Sequence, residues 1–575
     1  MKQAVKRTGA AVAASVLLAF ICGLAVYQAM GFVYAIADDV IMRDIASGAF
    51  TGTPDGHLIF VQYALGRTIS SLYRINGRTD WYGFFMTGAV FFSLAAILYR
   101  GLAAKKSWKW KGVYCVGAVG VTLTALLSHA AQFEWTISAA ALGAAALFLY
   151  VSAGRRKTGL ADGVWIWMLL ILTYGIRSDV FFMVLPGFGL AFLWKAFQKN
   201  ENGNKWKINF RELLLPVLVF FAVGLLFLVE KKAYSGPEWA EFQRFQNARS
   251  EVYDYYGVPA YEADPEFFDG LGISSEEVRA LRHYALYLVD GMDAQMMEKL
   301  SVEARRQTDG ESGTMAKIKT AVKLAAEQFF SPEYRNVSLS VAVFFLLAVI
   351  LLWKREKRLY PLLLLYLCAH GLLWLALGYA GRLPERVAFS LHLVMLGGFG
   401  GLFTSLCEKE EDQCQWLRPV AGILCILSVL TVLLQWQSST VSNREKLAMD
   451  GSFQTFKNAC KEETEKLYFI ETYMAEPVGG ARVVTNGNFA LNRCLTFGDW
   501  YTDSPLDQER FMALGVKSVE QTLFTDENAY LVARDAEVPG FLASWLAWKK
   551  PGAELTLTED REIDGRMYYF YQIQE

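Results

Sequence analysis

The sequence lacks an excess of charge of either sign and has no basic tract. Its 56 Lys and Arg residues stand against 57 Asp and Glu, for a net charge of −1. A nucleic-acid-binding surface needs clustered positive charge, so nucleic acid is excluded as a partner. The eight cysteines form no Cys-x-x-Cys pair and no cluster with histidine, which argues against a zinc site. Fixed-period repeats and low-complexity tracts are also missing.

Apolar residues, in contrast, are abundant. They make up 54% of the 575 residues, and the mean hydropathy is +0.23. A soluble protein of this length rarely has a positive mean hydropathy, because its surface must be polar. A transmembrane helix needs about 20 mostly apolar residues. Runs of suitable length lie near 10–34, 82–100, 112–128, 136–153, 212–230, 336–353, 359–380, 387–406 and 418–437. One longer run, 164–194, contains Arg177, Ser178 and Asp179 in its middle.

The positions of Lys and Arg predict the orientation, because such residues concentrate in cytoplasmic loops. They cluster at Lys2, Lys6 and Arg7, at 105–111, at 155–157, at 195–211 and at 354–358. All the clusters fall on one side only if 164–194 is a hairpin of two short helices. This predicts about eleven transmembrane helices in the plasma membrane, with a cytoplasmic N-terminus. The first run is too long for a signal peptide and lacks a cleavage site, so we expect a retained anchor.

The same topology places residues 35–81, 129–135, 177–179, 231–335, 381–386 and 438–575 outside the cytoplasm. The last segment combines strand-like stretches at 481–485 and 567–571 with an amphipathic helix at 539–548. We therefore predict a membrane domain over 1–437 and a small extracytoplasmic α/β domain over 438–575. Cys460 and Cys494 are the cysteines predicted to lie outside, either as a disulfide or as two buried thiols.

Asp38 and Asp39 leave the first apolar run together, at the membrane surface. Two adjacent carboxylates repel each other, and this crowding raises the pKa of one of them, which suits a general base. The pair could also bind a divalent cation such as Mg²⁺ or Mn²⁺. The alternative is that it stabilises the start of the following helix through the helix dipole.

The rest of the first outer loop contains a turn-rich stretch that ends at His57, followed by an amphipathic pattern over 58–73. The pattern predicts a helix lying in the membrane interface, where it would serve a lipid substrate or simply pack against the protein. His57 is a candidate substrate contact. A hydrogen-bonded structural histidine is the alternative interpretation.

Further charged residues in the outer segments are candidates for substrate binding: His129, Glu134, Arg177, Asp179, Arg249, Asp254, Arg382 and Arg386. Arginine suits a phosphate because its guanidinium presents a fork of donors. The alternatives are a salt bridge between Arg177 and Asp179 and a pairing of Arg386 with Glu385. The aromatic and charged stretch 247–256 is of the kind that stacks on sugar rings, although helix packing explains it equally well.

This layout resembles the GT-C superfamily of membrane glycosyltransferases, which includes dolichyl-phosphate-mannose protein mannosyltransferases and oligosaccharyltransferases. The shared features are the first helix, a long first outer loop that opens with an acidic pair, interfacial helices, a large later outer loop and an outer soluble domain. Many relatives have Asp-Glu where this chain has Asp38-Asp39. The Trp-Trp-Asp motif of oligosaccharyltransferases is missing, since residues 499–503 do not match it. That difference argues against asparagine glycosylation.

The resemblance implies inverting transfer of a sugar from a polyprenyl-phosphate carrier to an extracytoplasmic glycan or protein. Asp38 or Asp39 would act as the general base, with Asp38 favoured, and arginines would hold the leaving phosphate. Metal dependence stays open. One rival is a transporter or flippase for lipid-linked sugars, which would favour charges inside the helices and related halves. A polysaccharide polymerase or ligase is the other rival and shares the donor.

Overall fold

The computed structural model describes residues 2–104, 107–154, 158–199, 206–208, 210–309, 314–408, 417–475, 481–534 and 538–574. The basic clusters predicted at 105–106, at 155–157 and at Lys205 lie outside the described residues. The helices of the first half are α1 (Lys2–Met30), α2 (Ala37–Ser47), α3 (Tyr63–Ile75), α4 (Trp81–Ala103), α5 (Trp108–Ala131), α6 (Trp135–Ser152), α7 (Leu160–Ile176), α8 (Ser178–Ala196) and α9 (Leu214–Ala233). Short strands within this half are β1 (Val33–Tyr34), β2 (Gln132–Phe133), β3 (Phe197–Lys199) and β4 (Trp206–Ile208).

The loop after α9 is largely helical. It contains α10 (Pro237–Ser250), a π-helix (Glu251–Tyr256), α11 (Pro265–Leu271), α12 (Ser275–Arg282), α13 (Ala294–Asp309) and α14 (Thr314–Phe329). The membrane part then continues with α15 (Arg335–Arg355), α16 (Tyr360–Tyr379), α17 (Glu385–Glu408) and α18 (Leu417–Glu462). The C-terminal elements are β5 (Leu467–Ile470), α19 (Thr472–Ala475), β6 (Cys494–Thr496), α20 (Pro505–Leu514), α21 (Val519–Thr525), β7 (Ala529–Ala533), α22 (Gly540–Lys549), β8 (Glu554–Ile563) and β9 (Arg566–Gln574).

Among the described residues, ten helices are long and apolar enough to cross a membrane, and α7 is a shorter apolar helix. The predicted polytopic helical fold is therefore confirmed. The run 164–194 forms two helices, α7 and α8, which meet at Arg177. The side of the membrane on which each loop lies stays a prediction.

Helix α6 is the centre of the bundle and is buried along its whole length. It is rich in alanine, and α17 packs closely against it because glycines face its backbone. A Cβ atom on Gly397 would lie 2.4 Å from the carbonyl oxygen of Ala144. Small residues allow membrane helices to approach this closely, which compensates for the missing hydrophobic drive in lipid.

A five-stranded mixed sheet, in the order β6-β5-β7-β9-β8, forms the C-terminal unit. Strands β6, β5 and β7 are parallel, and β9 and β8 add to them in the antiparallel sense. The predicted α/β character is confirmed, with α22 at the predicted helix and β9 at the second predicted strand. Cys460 and Cys494 are both free, buried thiols of one apolar cluster.

Two local predictions were wrong for tertiary reasons. The helix expected from residue 58 begins at Tyr63, because Ile59 has a positive φ of 65° and its N–H donates to the Tyr234 hydroxyl oxygen at 3.2 Å. Residues 481–485 do not join the sheet. Instead Arg482 forms an isolated bridge with Val33 near the start of α2.

Helix α18 extends far beyond the predicted span of 418–437. It is continuous for 46 residues, to Glu462, and the first strand of the sheet starts at Leu467. Residue 438, where we placed the domain boundary, lies inside this helix. The division into two domains stays a prediction.

Candidate active site

The first turn of α2 carries Asp38 and Asp39. Strands β1 and β2 pair in parallel just before it, and the N–H of Ala35 donates to the carbonyl oxygen of Phe133 at 2.9 Å. This pairing holds the segment that leaves α1 beside the turn between α5 and α6. The acidic pair therefore lies next to Glu134, which is almost a hundred positions away in the sequence.

Asp39 is fully buried, and its two carboxylate oxygens are both engaged. The Tyr82 hydroxyl donates to Oδ1 at 2.6 Å, and the backbone N–H of Trp135 donates to Oδ2 at 3.3 Å. Burial raises the pKa of Asp39 well above its usual range, and the nearby carboxyl groups of Glu134 and Asp38 raise it further. The hydrogen bonds from Tyr82 and Trp135 lower the pKa in the opposite sense and fix Asp39 in place.

Glu134 is the N-cap residue of α6. Its carboxylate accepts hydrogen bonds from the N–H of Ile137 at 3.1 Å and from the Thr136 hydroxyl at 2.6 Å. The Nε atom of Arg386 lies 4.0 Å from the same carboxylate. Burial raises the pKa of Glu134, and the Arg386 charge opposes this shift. The residue therefore links the start of α6 to the start of α17.

Asp38 differs from its neighbour, since it is only half-buried and has no hydrogen-bond partner in the described part of the chain. Burial raises its pKa, while the positive charges of Arg386, Arg249 and Arg177 lower it. The N-cap residue of α2 is Ile36, which makes no side-chain cap hydrogen bond. Asp38 is therefore a free carboxylate that faces several guanidinium groups.

Two of these guanidinium groups, those of Arg177 and Arg386, contact the Trp135 ring. The Cζ atoms of Arg177 and Arg386 lie 5.0 and 5.2 Å from its centroid, within range of a cation–π interaction. Arg177 also donates to the Thr136 hydroxyl at 3.1 Å and lies 3.6 Å from Asp179. The salt bridge expected as the alternative for Arg177 is present, and the guanidinium still contacts the site.

A second arginine pair comes from two elements, Arg249 from the loop after α9 and Arg382 from the turn between α16 and α17. One oxygen of Asp254 lies 3.7 Å from Arg249 and 3.4 Å from Arg382, and it accepts a hydrogen bond from the Ser250 hydroxyl at 2.7 Å. Arg382 also donates to the Tyr255 hydroxyl at 3.1 Å. Asp254 and Tyr255 belong to the π-helix, an element that occurs frequently at functional sites.

Two histidines named from the sequence have other surroundings. His57 lies 2.7 Å from Asp55 and stacks on Trp239, with ring centroids 4.9 Å apart. His129 is on α5, and its ring centroid lies 4.1 Å from that of Phe389. No hydrogen bond or ion pair joins either histidine to the acidic pair among the described residues. Their proposed substrate contacts stay predictions.

The sequence analysis missed Tyr82 and Trp135. Tyr82 is the second residue of α4, and its hydroxyl donates a hydrogen bond to Asp39. Trp135 donates its N–H to Asp39, and its ring contacts two arginines. Tyr82 and Trp135 both lie in the first turn of a membrane helix whose N-cap residue is acidic, a location where aromatic residues are common. That location alone does not distinguish a site residue from an interfacial anchor.

Two further observations concern metal binding and the cavities near the site. Across the residues that the structure describes, there is no group of three or more His, Cys, Asp or Glu side chains arranged to hold a metal ion. An apolar cavity of about 310 Å³ lies among α4, α5, α6, α17 and α18, and neither the acidic pair nor the arginines line it. The polar cluster is therefore separate from this cavity.

Comparison of the sequence with protein-family models and with curated proteins gives no match. Among solved structures, the chain is similar to the crystal structure of ArnT from Cupriavidus metallidurans bound to undecaprenyl phosphate, with 13% identity and a TM-score of 0.41, over 97% of each chain. It is also similar to the apo form of the same protein, with 12% identity and a TM-score of 0.39, over 96% of this chain and 97% of that one.

Proposed function

We propose that this chain is an inverting membrane glycosyltransferase. It moves a sugar from a polyprenyl-phosphate carrier to a hydroxyl of an extracytoplasmic glycan or glycoprotein. The observation that carries the proposal is Asp38, a half-buried carboxylate with no hydrogen-bond partner in the described structure, beside the positive charges of Arg177, Arg249 and Arg386. A free base next to an anion-binding cluster suits a transfer in which a phosphate leaves.

In this mechanism Asp38 accepts the proton of the acceptor hydroxyl. The hydroxyl oxygen attacks the anomeric carbon while the bond from that carbon to the phosphate oxygen breaks, and the electron pair leaves with the polyprenyl phosphate. One displacement inverts the anomeric configuration. Asp38 then returns the proton to water, so no group of the protein is consumed.

Asp39 has the supporting role. Because both of its oxygens already accept hydrogen bonds, it is poorly placed to take a proton from a substrate. Its contacts with Tyr82 and Trp135 instead fix the first turn of α2. Burial raises the pKa of Asp39, which disfavours a second negative charge beside Asp38.

The arginines stabilise the phosphate, whose negative charge grows in the transition state. Guanidinium groups bind phosphate oxygens in a forked geometry that an ammonium cannot provide. Arg249 and Arg382 are paired with Asp254, and Arg386 lies 4.0 Å from Glu134. A phosphate that enters here would exchange with the Asp254 carboxylate.

A lipid-linked donor fits the position of the site. Arg386 lies in the first turn of α17, and Arg382 in the turn before it, at the end of two membrane helices. A carrier phosphate at headgroup depth can reach both while its hydrocarbon tail stays in the bilayer. An acceptor hydroxyl approaches from water. The charged residues of the site gather at helix ends, which favours an enzyme over a transporter. A polymerase or ligase would use the same site.

The test is transfer by the purified protein from a polyprenyl-phosphate sugar, with the anomeric configuration of the product read by NMR. Asp38→Asn should lower the rate by about 10²- to 10⁴-fold. Asp269→Asn is the control, because Asp269 accepts a hydrogen bond from Tyr261 in the loop after α9 and has no hydrogen bond or ion pair with Asp38 or the site arginines among the described residues. A folded Asp38→Asn/Asp39→Asn double variant with wild-type transfer would overturn the proposal, as would a retained anomeric configuration.

A further inference from the structure

Residues 481–492 lie along the segment that leads to the acidic pair. We call these residues the strap. The N–H of Tyr34 donates to the carbonyl oxygen of Ala481, and the N–H of Val483 donates to that of Phe32, both at 2.9 Å. An antiparallel bridge lies between these two hydrogen bonds. The strap therefore acts as a partner strand for the residues just before α2.

The strap contacts the first outer loop at three more points. The N–H of Asp80 donates to the carbonyl oxygen of Val484 at 2.9 Å, and the N–H of Gly487 donates to that of Arg78 at 2.7 Å. Near its end, the N–H of Asn492 donates to a carbonyl oxygen just after α2, that of Ala49, at 2.8 Å. Backbone contacts thus hold the chain on both sides of α2.

A buried charge cluster completes the attachment. The Asp44 carboxylate contacts Arg43 at 2.7 Å, Lys457 of α18 at 3.2 Å and the side-chain amide of Asn492 at 2.7 Å. Asp44 is only 3% exposed, and despite burial the positive charges of Arg43 and Lys457 hold its pKa below its usual range. The carboxylate therefore stays ionised and requires these partners.

Removing one partner of a buried charged group leaves the other uncompensated, which is costly. Helix α2 has 11 residues, with Asp38 in the first turn and Asp44 two turns later. At 1.5 Å per residue the two lie about 9 Å apart along the axis, on one rigid element. A shift of Asp44 therefore moves Asp38 with it.

We propose that Asp44, Lys457 and Asn492 are positioning residues for the transfer reaction. They fix the orientation of α2, and through it the distance from the Asp38 carboxylate to the acceptor hydroxyl. The C-terminal part of the chain is then a component of the catalytic unit and not only an appended module. This inference rests on the proposed glycosyl transfer.

The test compares Lys457→Met, Lys457→Arg and Asn492→Ala in the full-length protein. Misplacing a reacting group by about 1 Å can cost about 100-fold in rate, so we expect kcat of Lys457→Met to fall by about 10- to 100-fold. Binding of the sugar-free carrier polyprenyl phosphate, measured by tryptophan fluorescence, should stay within about threefold, because the arginines are unchanged. Lys457→Arg should restore most of kcat, since it keeps the charge.

Tyr287→Phe is the control for a purely structural effect. It removes a partly buried hydrogen bond from the Tyr287 hydroxyl, in the long loop after α9, to Asp507 of α20. Neither residue is hydrogen-bonded or ion-paired with Asp44 among the described residues. The substitution should lower the melting temperature like Lys457→Met yet leave kcat within about twofold. Unchanged kcat in Lys457→Met with an active wild type would overturn this inference alone. Equal losses of kcat in Tyr287→Phe and Lys457→Met would also overturn it, whereas an inactive wild type refutes the glycosyl transfer itself.

Discussion

Asp254 places one carboxylate oxygen between two arginines, 3.7 Å from Arg249 and 3.4 Å from Arg382. In the proposed reaction, this carboxylate would compete with a phosphate oxygen for the two guanidinium groups. Asp254→Asn keeps the shape and removes the competing charge. We expect the affinity for polyprenyl phosphate to rise by about 3- to 10-fold, because the arginines lose a charged contact that competes with the phosphate.

Binding of polyprenyl phosphate to the purified variants measures this effect. Glu298→Gln is the control, because Glu298 pairs with Arg244 on the exposed surface of the same loop. A lower affinity in Asp254→Asn would show that the carboxylate orders the arginines and does not compete with the phosphate.

Arg382→Lys keeps a positive charge but loses the planar fork. We expect carrier binding to weaken by about 10-fold, the value of one charged hydrogen bond. Arg244→Lys provides the comparison, since its guanidinium pairs with a solvent-exposed carboxylate. Equal carrier affinity in wild type and Arg382→Lys would remove Arg382 from the phosphate site.

The pH dependence of transfer should report Asp38. A base must be deprotonated, so the rate falls as the pH drops through the pKa of Asp38. Burial raises that pKa, which moves the acid limb above that of an ordinary aspartate. Arg386 lowers the pKa, so Arg386→Gln should move the limb to still higher pH. A limb that stays in place, measured in kcat/KM profiles, would contradict this assignment of the base.

Chelation by EDTA should leave transfer within about twofold. The arginines supply positive charge near the phosphate, and both oxygens of Asp39 already accept hydrogen bonds. A metal bound to this residue would have to share each oxygen with the hydrogen bond from Tyr82 or Trp135. Loss of transfer on chelation, restored by Mg²⁺ or Mn²⁺, would assign the acidic pair to a cation instead.

Reporter fusions test the predicted orientation. Because α7 and α8 form a hairpin, a reporter after Lys199 should be cytoplasmic and one after Asp309 should be outside. Alkaline phosphatase and green fluorescent protein fusions at each position give opposite signals in the two compartments. If both positions report the same side, the predicted sidedness of the long loop is wrong.

The sequence predicted the helical part of the fold because long apolar runs have few other structures available to them. It also predicted several of the charged side chains that meet at the site. With the run 164–194 counted as a hairpin, the number of membrane crossings places the turns that contain Arg177 and Arg382 at the same end of the bundle. Neither inference needed knowledge of side-chain contacts.

The remaining details depend on tertiary contacts that no local pattern encodes. Residues 481–485 have the composition of a strand, but they pair with the chain before α2 and not with the sheet. Ile59 fits an amphipathic helix, yet its contact with Tyr234 places it before the helix start. Asp38 and Asp39 look equivalent in the sequence, and only Tyr82 and Trp135 distinguish them.

The continuity of α18 makes the arrangement sensitive to helical phase. The helix runs unbroken from the membrane part to Glu462, and Lys457 lies near its far end. Adding one residue upstream would rotate Lys457 by about 100° around the axis and advance it by about 1.5 Å, turning the ammonium away from Asp44. Two added turns, about seven residues, would restore the angle but move Lys457 by about 10 Å. The contact between Lys457 and Asp44 therefore constrains the length of α18 as well as the identity of its residues.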